Sequence, residues 1–84
     1  MNVVYKTTGT CSKQIHFSID NGVVHDVKFD GGCNGNLQGI GRLVEGMRVE
    51  DVITRLKGIS CNGRPTSCPD QLAQALEQTM TNKG

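Results

Sequence analysis

Four cysteines, Cys11, Cys33, Cys61 and Cys68, are the residues of this chain best equipped for chemistry. Each sits among residues that turn the backbone or end an element: Thr10-Cys11-Ser12, Gly31-Gly32-Cys33-Asn34-Gly35-Asn36, Ser60-Cys61-Asn62-Gly63 and Thr66-Ser67-Cys68-Pro69-Asp70. A cysteine used for packing belongs inside an apolar strand or helix instead. Four thiols on tight loops of an 84-residue chain point to one shared task. That task is metal binding, redox exchange or disulfide stapling.

Spacing narrows the choice less than context does. There are 21 residues between Cys11 and Cys33, 27 between Cys33 and Cys61, and six between Cys61 and Cys68. The paired C-x-x-C of a zinc ribbon is absent. A thiolate ligand needs N–H donors beside it, and such donors are free at glycine-rich loops and helix N-termini. The glycines around Cys33 meet that need. At Cys68 a helix start should meet it through the amides of residues 70 and 71, since Pro69 has no N–H. Four thiolates on one divalent zinc leave excess negative charge, and Arg42, Arg64 and Lys13 are candidate neighbours to offset it.

The reading that follows is a four-thiolate metal site of Cys11, Cys33, Cys61 and Cys68, with zinc the expected metal. Its alternatives are an iron–sulfur cluster or a scaffold for one, a redox dithiol formed by Cys61 and Cys68, and inert or disulfide-bonded cysteines. A weaker feature overlaps the site. Gly32, Asn34, Gly35 and Asn36 lead into a helix and can offer amides to an anion, without the Lys-Ser/Thr ending of a P-loop. His16 reads as a solvated side chain and His25 as a half-buried one. Asp20, Asp26 and Asp30 read as solvation of the sheet and its turns. Asp70 reads as a complement to a helix dipole.

Size and charge bound the rest. One domain, 1–84, is expected. The core is thin: 36% of residues are hydrophobic, three are aromatic and none is Trp. A metal or cross-link is therefore a useful staple. A formal net charge of +1 gives no bulk attraction to nucleic acid. No apolar run is long enough to span a bilayer, and the first residues do not read as a signal peptide. The cytoplasm, where thiols stay reduced, is the expected compartment.

The elements that must position these thiols follow from periodicity. Val3–Thr7 is a short strand, and Gly9–Ser12 a turn. Gln14–Asp20 alternates, with Ile15, Phe17 and Ile19 on one face. Val23–Asp30 is the next strand, with Val23, Val27 and Phe29 on one face. A three-residue loop, Asp20-Asn21-Gly22, pairs Ile19 with Val23 and Ile15 with Val27, and sets His25 opposite Phe17. Leu37, Ile40, Leu43 and Val44 mark a helix with Asn36 as N-cap and Gly46 as its stop. Val49, Val52, Ile53 and Leu56 mark a second, closed by Gly58. The last begins at Pro69 with Cys68 as N-cap and a stripe of Leu72, Ala73, Leu76 and Met80. The fold expected is α+β: a small antiparallel sheet of about three strands, then three helices packed on one face.

Thr66-Ser67-Cys68-Pro69-Asp70 spells the motif that names the TSCPD domain. Gly31–Leu37, Val52-Ile53, Leu56-Lys57-Gly58, Cys61 and Asp70-Gln71-Leu72-Ala73 also resemble that family, in its small stand-alone four-cysteine form. Related domains end some ribonucleotide reductases, chiefly adenosylcobalamin-dependent ones. The resemblance implies an accessory role toward a ribonucleotide reductase subunit or another protein, with a homo-oligomer as a further option. It implies no ribonucleoside-diphosphate reductase activity by this chain alone, because that chemistry needs a large barrel. A fainter similarity, in element order, is to NifU/IscU-type iron–sulfur scaffolds. Their three ligand cysteines fall on Cys33, Cys61 and Cys68. Gly35 and Ser67 stand where scaffolds carry Asp and His, and Cys11 is an addition. Those departures imply a permanent site rather than cluster transfer.

Overall fold

Ile15, Phe17 and Ile19 alternate along the middle strand, and that alternation builds the sheet around it. The computed structural model describes residues 1–7, 9–10, 12–31, 34–60, 63 and 66–81, with the side chains of Asn34 and Thr81 outside the description. Strands β1 (Asn2–Lys6), β2 (Ser12–Asp20) and β3 (Val23–Gly31) form one antiparallel sheet in the order β1-β2-β3. Helices α1 (Asn34–Val44), α2 (Val49–Leu56) and α3 (Cys68–Thr81) follow. This is the expected α+β architecture. Ile15, Phe17 and Val24 from the sheet pack with Val44, Val49, Val52, Leu72, Ala75 and Leu76 from the helices.

The β2–β3 register differs from expectation. The turn has two residues, not three: Asp20 pairs with Val23, Ile19 with Val24 and Ser18 with His25. Asn21 (φ 52°) and Gly22 (φ 75°) both take the left-handed conformation of a type I′ hairpin. Further along, His16 pairs with Lys28 and Ile15 with Phe29. Two residues, Asp26 and Val27, therefore stand opposite Phe17, which is a β-bulge. Asp26 adopts φ 56° there. The bulge reconciles a short turn with a continuous core. Val24 faces inward before it, and Val27 and Phe29 pack against the core after it. Parity counted without a bulge forced the wrong loop length and put Val23, rather than Val24, inside. It also set His25 opposite Phe17, whereas His25 pairs with Ser18 and points its Nδ1 at Glu45 Oε2, 2.6 Å away.

Glu45 holds the bulge. Its Oε1 accepts the Asp26 amide at 2.8 Å. That amide, with His25 beside it, holds the Glu45 carboxyl below the ordinary range. The segment after α1 covers the outer edge of β3: the Val24 N–H donates to Met47 O at 2.8 Å, and the Gly46 N–H donates back to Val24 O at 2.9 Å.

Helix α1 begins at Asn34, so Asn36 lies inside it and is not the N-cap. Its inward stripe is Leu37, Ile40, Gly41 and Val44, while Leu43 is 78% exposed. Neighbouring helical residues point about 100° apart, so Leu43 and Val44 cannot both face the core. Gly41 decides between them. A Cβ there would stand 2.8 Å from the Val27 carbonyl oxygen, so the helix lies on β3 through that glycine. Met80 also departs from expectation at 47% exposed, and Ala75 takes the inward place.

Candidate metal centre at the start of α3

Cys68 opens α3 and carries a free, half-buried thiol. The residue that caps the helix is Ser67, not Cys68. Its Oγ accepts the Asp70 amide at 3.2 Å, and its carbonyl accepts the Gln71 amide at 2.8 Å. A hydroxyl oxygen is a compact, strong acceptor, so serine outcompetes the neighbouring sulfur for the N-cap place. The amides of residues 70 and 71 are thus committed to Ser67. The sequence reading expected them to serve the thiol, and they do not. Cys68 occupies the first helical position and Pro69 the second.

The rest of the motif builds a buried clamp. Asp70 is 4% exposed. Its Oδ1 accepts the Gly58 amide at 2.7 Å, and its Oδ2 accepts the Thr66 hydroxyl and, at 2.7 Å, the Gln74 amide. Thr66 Oγ1 in turn accepts from Gln71 Nε2 at 3.0 Å. Burial pushes the Asp70 carboxyl up. The bonds from Thr66, Gly58 and Gln74, with Lys57 nearby, outweigh burial and hold it below the ordinary carboxylate range. Asp70 therefore does more than complement a dipole: it ties the end of α2 to the start of α3. The Ser67 hydroxyl adds a second tie by donating to Ile59 O at 2.6 Å.

A third segment arrives from the sheet. Ser12 is 4% exposed, and its Oγ stands 3.2 Å from Cys68 Sγ across 56 positions of sequence. The Thr7 and Thr10 hydroxyls converge on the Ser12 carbonyl, and Thr10 Oγ1 is 3.3 Å from Ser12 Oγ. Gly9, with φ +70°, lies so close to Thr66 that a Cβ would meet its methyl at 3.2 Å. Ser12 also pairs with Gly31 at the end of β3. Ser12 is the site residue that spacing did not reveal, because its partner is remote in sequence.

Of the expected ligands, Cys68 is described, while Cys11, Cys33 and Cys61 lie outside the described residues, as do Gly32 and Arg64. Gly35 and Asn36 are exposed in the first turn of α1. Arg42 lies eight residues beyond Asn34, about 12 Å along the helix axis. It lines an open groove of about 610 Å³ between β3 and α1, with Lys28, Asp30 and Glu45. Lys13 is exposed on β2. His16 lies on the solvent side of the sheet with its Nε2 3.2 Å from Asp30 Oδ2. Gln14, bonded to that same oxygen at 2.7 Å, together with His16 and Lys13, holds the Asp30 carboxyl below the ordinary range. Among the described residues, no three His, Cys, Asp or Glu side chains are grouped to hold a metal ion. Among them, too, no helix is long and apolar enough to cross a membrane.

The sheet, the three helices and this capped motif define a small α+β cysteine-bearing domain. The TSCPD domain family model matches residues 3–80, and the chain belongs to that family. No curated protein and no solved structure matches it, so the fainter similarity to NifU/IscU-type scaffolds is without support from those comparisons.

Proposed function

We propose that this TSCPD domain is a small metal-binding module in which Cys11, Cys33, Cys61 and Cys68 share one zinc. One observation carries the reading: residues one or two positions from Cys11, Cys33 and Cys61 are linked, directly or through Ser12, to the start of α3. Ser12, next to Cys11, contacts Cys68. Gly31, two residues before Cys33, pairs with Ser12. Ile59, two residues before Cys61, accepts from Ser67, which precedes Cys68. Tetrahedral zinc, with Zn–S bonds of about 2.3 Å, needs four thiolates drawn together, and these contacts support that reading. The donor set suits the metal: soft thiolates bind zinc well, and a closed four-ligand shell makes a structural site.

The Ser67–Ile59 bond also favours a second reading, in which Cys61 and Cys68 act as a redox dithiol. In either case the domain serves a partner protein in a reducing compartment such as the cytoplasm. The family resemblance names ribonucleotide reductase as the class of partner.

The test is elemental analysis of untagged protein purified without oxygen, beside single Cys→Ser variants. One zinc per chain, lost in all four variants, is the expected result. Iron with sulfide would replace zinc by a cluster. No metal, with a disulfide between Cys61 and Cys68 that thiol reductants open reversibly, would replace it by the redox pair.

A further inference from the structure

Resting on the metal-site reading above, we propose that Ser12 is a positioning residue for the site: its hydroxyl donates to the Cys68 sulfur and sets that ligand's electron density. A metal-bound thiolate carries its charge on sulfur and is acceptor-only, so it needs donors. The start of α3 is a poor source of them. Pro69 has no N–H, and the amides of Asp70 and Gln71 are bonded to Ser67. The Ser12 hydroxyl, 3.2 Å from Sγ, stands in their place.

Its surroundings aim it there. Ser12 is nearly sealed from water, so its proton must find a protein acceptor. The Thr10 hydroxyl is directed at Ser12, 3.3 Å from both its carbonyl and its Oγ. Thr10 donates to the Ser12 carbonyl, so the Thr10 oxygen and the Cys68 sulfur are the two acceptors within reach of the Ser12 proton, and a charged metal-bound thiolate is the stronger of them. Ser12 also follows Cys11 directly, so one residue joins two of the four proposed ligands, one by a peptide bond and one by a hydrogen bond. Removing the hydroxyl leaves a more electron-rich sulfur and a less firmly held ligand.

The probe is cobalt(II), which takes tetrahedral thiolate sites and reports sulfur-to-metal charge transfer in the near ultraviolet. Full-length wild type, Ser12→Ala and Ser12→Thr are loaded without oxygen, and folding is checked by circular dichroism. In Ser12→Ala the charge-transfer band should move to longer wavelength, and zinc affinity, read by competition with a chromophoric chelator, should fall about tenfold or more. Ser12→Thr keeps the hydroxyl and should return the wild-type band. Ser12→Gly gives the same reading should the alanine variant not fold. A wild type that binds cobalt, with an unchanged band and affinity in the folded hydroxyl-free variant, overturns the role of Ser12 and leaves the metal site standing. A wild type that shows no thiolate–cobalt band overturns the metal reading and this proposal together.

Discussion

At the scale of single residues, the five letters of the TSCPD motif divide their labour. Ser67 caps α3, Thr66 and Asp70 clamp the loop that enters it, and Pro69 occupies a position where a missing N–H costs little. The Cys68 thiol is the member not committed to the helix start. Asp70 gives the clamp a pH dependence. Its folded carboxyl is held below the ordinary value of about 3.9. Its contribution is thus complete above that value and is lost as pH falls through the folded pKa. Asp70→Asn would set an amide NH₂ among donors and should cost about 1–3 kcal/mol at neutral pH. Urea midpoints measured from pH 7 to pH 3 should show the gap between wild type and variant closing at the acid end. A gap that stays constant would mean that Asp70 acts by shape alone. Some acid sensitivity should survive in the variant, because Asp30 and Glu45 are held low as well.

At the scale of elements, one close approach orients α1. The helix rests on β3 at Gly41, and that contact turns Val44 inward and Leu43 out. Gly41→Ala gains helix propensity of about 1 kcal/mol. It also drives a Cβ to 2.8 Å from the Val27 carbonyl, which is backbone and cannot swing aside. The overpacking should win, for a net loss of about 1–2 kcal/mol by denaturant unfolding. A variant as stable as wild type, or more so, would show that α1 can ride outward without loss. Beside this contact the Asp26 bulge, held by Glu45, keeps Phe29 packed against the core and so sets where β3 ends.

At the scale of the whole molecule, a thin core gains from a staple. Eighty-four residues with three aromatics bury little apolar surface. Ser12 at the start of β2 and Ile59 after α2 contact the start of α3, and Gly31 at the end of β3 pairs with Ser12. A metal that joined them would close three loops at once, and its binding energy would become folding energy. Chelation of anaerobically purified protein should then lower Tm by more than about 10 °C, given about 4–8 °C per kcal/mol for a domain of this size. Cys68→Ser should melt low from the start and respond little to chelator. Equal melting with and without chelator in the wild type would detach the cysteines from stability.

Sequence alone determined what repeats over a few residues. The alternation of Ile15, Phe17 and Ile19 announces a strand, the 3.6-residue recurrence in α2 announces a helix, and Thr66–Asp70 announces the TSCPD family. These are local signals, carried by neighbours along the chain. Only the tertiary structure decided the bulge at Asp26, the outward turn of Leu43 and the contact of Ser12 with Cys68. Each depends on a partner that packing selects from a remote segment: Phe17 across the sheet, the Val27 carbonyl beneath α1, and a sulfur 56 positions away. Ser67 lies between the two cases. Pro69 suggested a helix start with Cys68 as its cap, one residue too late, and the hydrogen bonds of Asp70 and Gln71 give that place to Ser67.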